Sequence, residues 1–420
     1  VEEIMKSIFA STALALSVLG TTAFSAVAAD TIKIGYVDPL SGGGASIGQI
    51  GINQLKFIAD EVNGKGGVLG KQIEVIPYDN KLDPQVSLVQ VQKAIDQGVR
   101  IIVQGNGSSV AAAVEGFVTK FNSRNPGKEV VHVNYAAIDP SLTNEKCSYW
   151  HFAWDANVSI KIEALTNFMK NNKDIKKVYL IDQDYSFGHS VADAASKALK
   201  AKRSDLQVVG NEFVPLQKTT DFSPYIAKIK ASGADSVITA NWGNDLALLI
   251  KAAGDAGLDV NWYTFYAGGA GGPTAVKQAG LKDKVFQITE GINNIDYAPM
   301  QKIVKAYMDK YPDAPVYYPR LFNAMDMVFE AMNEVKSDDP VKFVPKLEGM
   351  KHADFSDGKE GFMRKDDHQY FQTMYMSSLG PLGAGEPFDE EHTGWGWKVA
   401  ATIPVDDTIV PTTCKMERPE

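Results

Sequence analysis

The stretch Thr31-Ile32-Lys33-Ile34-Gly35-Tyr36-Val37, followed by Asp38-Pro39 and Ser41-Gly42-Gly43-Gly44, decides the fold class. Its alternating, β-branched residues read as a strand, and the Asp-Pro step with the small residues after it ends that strand in a tight loop. A helix fits from about Ile47 to Val62, with Leu55, Ile58, Ala59 and Val62 on one face, and Asn63-Gly64 and Gly66-Gly67 stop it. A second strand, Gln72 to Tyr78, leads to Asp83-Pro84, an N-cap with proline at the first helical position, and a helix through Val86, Val89, Ala94 and Ile95. A third strand, Arg100 to Val103, runs into Gly105-Asn106-Gly107-Ser108-Ser109. Strands alternating with helices in this way imply a parallel sheet covered on both faces.

The same rhythm restarts after Asn172. Strands Lys177–Ile181, Leu206–Glu212 and Ser236–Ala240 alternate with helices over about Ser190–Ala201, Phe222–Ser232 and Asp245–Ala256. The fold class is therefore α/β with two doubly wound, Rossmann-like lobes. In open α/β sheets ligands bind beyond the carboxyl ends of the strands, so two such lobes facing each other enclose a ligand cleft between them.

Further from the deciding stretch, Met5-Lys6, the apolar run from Ile8 to about Leu19 and the small residues Ala26-Val27-Ala28-Ala29 have the pattern of a secretory signal peptide over residues 1–29, which predicts export to the periplasm. The apolar run is shorter than the roughly 18 to 20 residues of a membrane span. The remaining length exceeds the roughly 250 to 300 residues at which one core stops growing, so two domains are expected. A net charge of −9 argues against nucleic acid as a partner, because phosphate-backbone binding needs clustered Lys and Arg. The only cysteines are Cys147 and Cys414. In an oxidising compartment such a pair reads as one disulfide tying the C-terminal tail to the middle of the chain, with two buried free thiols as the alternative.

Several of these runs together carry a family likeness. Ile34 through Asp38-Pro39-Leu40-Ser41-Gly42, then Asn63-Gly64-Lys65-Gly66-Gly67-Val68-Leu69-Gly70, then Asp79 and Asp83-Pro84 resemble the periplasmic leucine/isoleucine/valine-binding protein family of ABC import systems. So do Thr220-Asp221-Phe222-Ser223-Pro224, Lys228 to Asp235, and Ile250-Lys251-Ala252-Ala253 with Gly257-Leu258. The resemblance implies the type I periplasmic binding protein fold, closure of the lobes on a small-molecule solute by hinge bending, and the membrane permease subunits of an importer as partners. It also implies a monomer without cofactor, metal or catalytic activity. Three crossings are expected near Asp155, Thr289 and Ser356, which divides the chain into a lobe of residues 30–154 plus 290–355 and a lobe of residues 155–289 plus 356–420.

The strongest site candidate is the Gly105–Ser109 loop, where a small-residue turn opens a helix and offers free N–H groups, with a hydroxyl from Ser108 or Ser109, to a carboxylate. The serines can equally serve as helix caps. In the family resembled, the corresponding serine binds the ligand carboxylate. The loop Asn134 to Pro140, with Ala136, Ala137 and Ile138, resembles that family's next ligand loop, with Ile138 where a threonine stands. Tyr185 and Phe187 match a loop in which an aromatic residue lies against the ligand, with packing of the lobe surface as the alternative; Trp242, just beyond a strand end, aligns with another aromatic contact. Around Phe265-Tyr266-Ala267-Gly268-Gly269, where amino-acid binders of the family carry an acid that pairs with the ligand's ammonium group, this chain has only uncharged residues. A buried ammonium without that partner costs on the order of several kcal/mol, so the resemblance points to an apolar or aromatic carboxylate, with an amino acid retained as the other solute class. Asp139 and Asp184 are the candidate replacements for the missing charge. Arg320, in Tyr317-Tyr318-Pro319-Arg320, reads first as a surface residue, with a partner for an acid as the alternative.

No hydrolase elbow, zincin helix or phosphate loop is present. Position 65 is Lys where a phosphate loop needs Gly, and Gln72 replaces its hydroxyl residue. The six histidines show no metal-ligand spacing, and His189 reads first as a solvated helix-start residue, with a ligand contact or base as the alternative. The acidic pairs Asp366-Asp367, Glu390-Glu391 and Asp406-Asp407 are expected to face water. A ligand-sensing protein of the same fold, without a transport role, is the alternative function.

Overall fold

The computed structural model describes residues 31–419. The expected signal peptide lies outside them. Strand β1 (Thr31–Asp38), helix α1 (Ala45–Asn63), β2 (Gln72–Asp79), α2 (Pro84–Asp96), β3 (Ile101–Gln104), α3 (Ser108–Arg124), β4 (Val131–Asn134) and β5 (His151–Ala153) build a five-stranded sheet in the order β2-β1-β3-β4-β5. Every pairing in it is parallel. Asp83 caps α2 as the sequence implies, its carboxylate accepting from the N–H groups of Gln85 and Val86 ahead of Pro84 at the first helical position.

The second half repeats the plan. Helix α4 (Val158–Met169), β6 (Lys177–Gln183), α5 (Ser186–Lys202), β7 (Gln207–Val214), α6 (Ser223–Ser232), β8 (Ser236–Thr239), α7 (Asn244–Asp255), β9 (Asn261–Thr264), α8 (Gly272–Gln278) and β10 (Val285–Thr289) give the parallel order β7-β6-β8-β9-β10, the same winding as in the first sheet. Both sheets therefore reverse their strand order at one place, between β1 and β3 and between β6 and β8. Loops diverge there and leave a crevice at the carboxyl ends of the strands.

The chain then returns to the first sheet through α9 (Ala298–Lys310), α10 (Pro319–Val335) and α11 (Pro340–Leu347). Phe57 of α1 packs edge-on against Tyr307 of α9, with ring centroids 5.4 Å apart, and Gln54 accepts from the backbone N–H groups of Tyr317 and Tyr318. A small antiparallel sheet of β11 (Lys351–Ala353), β12 (Glu360–Met363) and β13 (Tyr370–Phe371) follows and touches β5 through a parallel bridge between Ala153 and Gln369. Ser356, where a crossing was expected, lies in the turn between β11 and β12. The chain next joins the second sheet at β14 (Met374–Pro381), which pairs antiparallel with β10 and carries β15 (Trp395–Ile403) on its outer side.

Cys147 and Cys414 are bonded, with 5.7 Å between their Cα atoms. The tail after β15 thus recrosses to the first half, where Thr412 donates to the carbonyl of Thr143 and Arg364 donates to that of Val410. Two of the acidic pairs do not face water as a whole. Asp367 is buried and accepts from Arg364, and Glu390 is buried beside Asn293, because the strands next to them fold these residues inward. Among the described residues no helix is long and apolar enough to cross a membrane.

Since the disulfide closes a loop of 267 residues, its loss frees much chain entropy in the unfolded state. The pair of substitutions Cys147→Ser and Cys414→Ser is expected to lower stability by about 2–4 kcal/mol, seen as a lower melting temperature than that of the oxidised protein.

Candidate functional site

The loops leaving the two reversal points converge on one cavity. The β3–α3 loop supplies Gly105, Asn106, Gly107 and Ser108, and the loop after β4 supplies Ala136 and Ile138. The β6–α5 loop supplies Tyr185 and Phe187, the loop after β8 supplies Trp242, and the loop after β9 supplies Tyr266. Ile47 from α1 and Tyr317 and Tyr318 ahead of α10 complete the wall. The space between these residues, including what opens to solvent, is about 320 Å³.

Glycine precedes two of the helices that start near this cavity. Gly107 precedes α3 at φ 88° and Gly243 precedes α7 at φ 60°, both in the left-handed region where a side chain is strained. Neither helix start has a side-chain cap. The first-turn N–H groups of α3 are thus left for a ligand, with the positive end of the helix dipole behind them.

The β3–α3 loop is held by one carboxylate. Asp38, at the end of β1, accepts from the backbone N–H groups of Asn106 at 3.0 Å and Gly105 at 3.2 Å and from the Tyr135 hydroxyl at 2.6 Å. Burial pushes the Asp38 carboxyl up to about 7 even with these donors around it. Asn106 in turn donates to Tyr135 and accepts from the Tyr318 hydroxyl at 3.0 Å, which fixes Tyr318 against the loop.

The opposite wall is aromatic. The Trp242 indole N–H donates to the Tyr185 hydroxyl at 2.8 Å, and Phe187 lies between Tyr185 and Tyr266 with centroids 5.9 and 6.0 Å away. Burial raises the Tyr185 phenol well above its ordinary value, so it stays neutral. Tyr266 donates to Asp155 at 2.7 Å.

Behind Tyr266 lie four buried charges. Lys161 of α4 meets Asp155 at 2.6 Å and Glu290 at 3.5 Å, and Arg320 of α10 pairs with Asp155 at 3.2 Å and with Glu290. Burial alone would raise the Glu290 carboxyl, but Arg320 and Lys161 overcome that and hold it below the usual range. Arg320 is 1% exposed and is not the surface residue its sequence context suggested. It is tolerated in the interior because two carboxylates and the Tyr135 carbonyl engage its Nε and Nη1.

Seven of the residues singled out from sequence, Ser108, Ala136, Ile138, Tyr185, Phe187, Trp242 and Tyr266, thus line one cavity. Ser109 lies outside its wall, with its hydroxyl 3.4 Å from that of Ser186 on α5. Ala137 packs against Ala111 and Leu142. Asp184 is exposed and paired with a half-exposed His189 at 2.9 Å, and Asp139 accepts from the Ser141 N–H, so neither brings a carboxylate to the wall. Ile47, Tyr317 and Tyr318 were missed as wall residues. The Tyr-Tyr-Pro-Arg run was the signal that could have found the two tyrosines.

Known proteins agree in architecture. Residues 31–384 match the family model described as periplasmic binding protein. "Leu/Ile/Val-binding protein homolog 4" of Brucella melitensis biotype 1 is 30% identical over 422 residues, covering 98% of this chain and 99% of its own length. The crystal structure of a leucine-, isoleucine-, valine-, threonine- and alanine-binding protein from Brucella ovis, in a closed conformation, is similar with a TM-score of 0.80 at 30% identity, covering 93% of this chain and 100% of that one. A solute-binding protein of an ABC transporter from Rhodopseudomonas palustris, in complex with benzoate, superimposes with a TM-score of 0.76 at 18% identity over 92% and 100% of the two chains, a likeness of fold alone.

Removing one member of a buried ionic set strands its partners. Glu290→Gln is expected to destabilise the protein by about 3–5 kcal/mol, to be read from chemical denaturation monitored by tryptophan fluorescence.

Proposed function

The chain belongs to the periplasmic binding protein family, and on that premise we propose that it captures an apolar or aromatic carboxylate in the periplasm and hands it to the permease subunits of an ABC importer. The observation that carries the choice of solute is the composition of the cavity wall. One end offers the uncapped start of α3 and the Ser108 hydroxyl, the rest is ring and methyl surface, and no Asp or Glu is among the lining residues. A carboxylate is served by the free N–H groups and the helix dipole. An ammonium group would enter the same space without a counter-charge and lose its hydration. Six aromatic side chains, Tyr185, Phe187, Trp242, Tyr266, Tyr317 and Tyr318, supply flat surface for stacking.

In this reading the protein is a monomer that performs no chemistry on its solute. One lobe is built on the five-stranded sheet with α9–α11 and β11–β13, the other on the seven-stranded sheet, and the solute is held by closure of the two. The Ser109–Ser186 approach is then a contact of the closed form. An aliphatic amino acid is the second reading, favoured by the name of the 30%-identical Brucella ovis protein. It requires the ammonium to be held by hydroxyl and carbonyl oxygens alone.

The test is a thermal-shift series on protein unfolded, stripped of bound solute and refolded. Ligand at about a hundred times its Kd adds roughly 2.7 kcal/mol to stability. Benzoate and related apolar acids are expected to raise the melting temperature while leucine and valine leave it unchanged, and Trp242→Ala is expected to weaken binding at least about tenfold. Stabilisation by leucine or valine but not by the acids would replace the first reading with the second.

A further inference from the structure

Behind the aromatic wall lies a second space of about 340 Å³, open in part to solvent and lined among others by Gly268, Gln287, Asn293, Arg320, Glu390 and Trp397. Tyr266 and Tyr317 belong to the walls of both spaces, so this pair of rings is the partition between them. The first space is mostly apolar, whereas the second is lined by groups that form hydrogen bonds.

Two of those groups are buried donors without an acceptor. The Trp397 indole Nε1 and the Arg320 Nη2 have no hydrogen-bond partner, and both side chains are almost fully buried. Neither an indole nor a guanidinium can accept, so only an oxygen or another acceptor entering from the cavity satisfies them. Gly268 stands beside these donors. A Cβ at that position would stand 3.6 Å from Trp397 Nε1 and 3.4 Å from the Gln287 side-chain oxygen, in the mouth of the donor group. The Glu390 carboxyl adds a third donor: burial, with Glu391 and Asp389 nearby, pushes it up to about 8, so near neutral pH it holds its proton. Leaving buried donors unmet is costly, which favours whatever brings the missing acceptor.

Resting on the solute reading given above, we propose that this second space is a subsite for the distal acceptor group of an elongated solute, one with a carboxylate at the Ser108 end, an apolar middle, and a second carboxylate or carbonyl oxygen that reaches Trp397 and Arg320. The partition opens by movement of Tyr317, whose hydroxyl donates to the Tyr266 carbonyl at 3.1 Å. The solute class narrows from apolar acids in general to those carrying an acceptor at each end.

Calorimetric titration of the full-length mature protein tests this with matched pairs: benzoate against terephthalate and 4-carbamoylbenzoate, and hexanoate against adipate. In at least one pair the two-ended compound is expected to bind about tenfold or more tightly than its one-ended partner, and Trp397→Phe and Glu390→Met, each of which removes a donor, are expected to bring that ratio towards one. The carboxylate and carboxamide arms separate a charged distal group from a neutral one. A ratio near one in every pair, or a ratio that both variants leave unchanged, overturns the subsite and marks the space as a water-filled one. Binding of one-ended acids with no gain for two-ended ones leaves the first cavity's assignment standing; failure of every acid to bind removes that assignment and the subsite with it.

Discussion

Four charges out of reach of water, Asp155, Lys161, Glu290 and Arg320, set the terms for the rest of the molecule. Asp155 follows β5, the last strand of the first sheet, Glu290 follows β10 of the second, Lys161 is on α4, which leads into the second sheet, and Arg320 is on α10, one of the helices that return to the first. Desolvating a single one of them would cost several kcal/mol, so each is tolerable only while the other three are in place. The closed set therefore couples the passages of the chain to one geometry. Tyr266 carries that geometry forward, because its hydroxyl is held by Asp155 while its ring forms the back of the cavity.

From this fixed point the site follows from topology. Two sheets wound in the same order each open a crevice where the order reverses, and the loops at those reversals are the ones that meet. On one side Asp38 binds the backbone of the β3–α3 loop and leaves the start of α3 exposed to a ligand. On the other, aromatic rings are locked to one another by the Trp242–Tyr185 bond and by edge contacts with Phe187. A rigid polar end faces a rigid apolar wall. Such preorganisation lowers the ordering cost of binding a small solute.

Much of this was legible in the sequence, and the parts that were not have a common cause. The parallel strands are short runs rich in β-branched residues, some alternating and some continuously apolar, bounded by Gly, Asp-Pro and Asn-Gly steps, so β1–β3 and β6–β8 fall within a residue or two of their expected places. Ser108, Tyr185 and Trp242 lie within a few residues of strand ends, and that position together with the family resemblance marked them. The segment from β11 to β15 was not anticipated: its strands are short or antiparallel, and Met374–Pro381 becomes a strand only by pairing with β10. Arg320, Asp367 and Glu390 were misplaced for the same reason. A charged residue reads as solvated until its partner is known, and the partners of Arg320 lie 30 and 165 positions away in the chain.

The most direct test of the claim that this is a binding protein for a carboxylate without an ammonium group is to identify what the protein itself carries. Protein purified from the periplasm without denaturation would be weighed by native mass spectrometry, and the small molecule it releases on unfolding identified. One copy per chain of an unmodified carboxylic acid lacking a primary amine is the predicted result. Release of leucine, valine or another α-amino acid would contradict it.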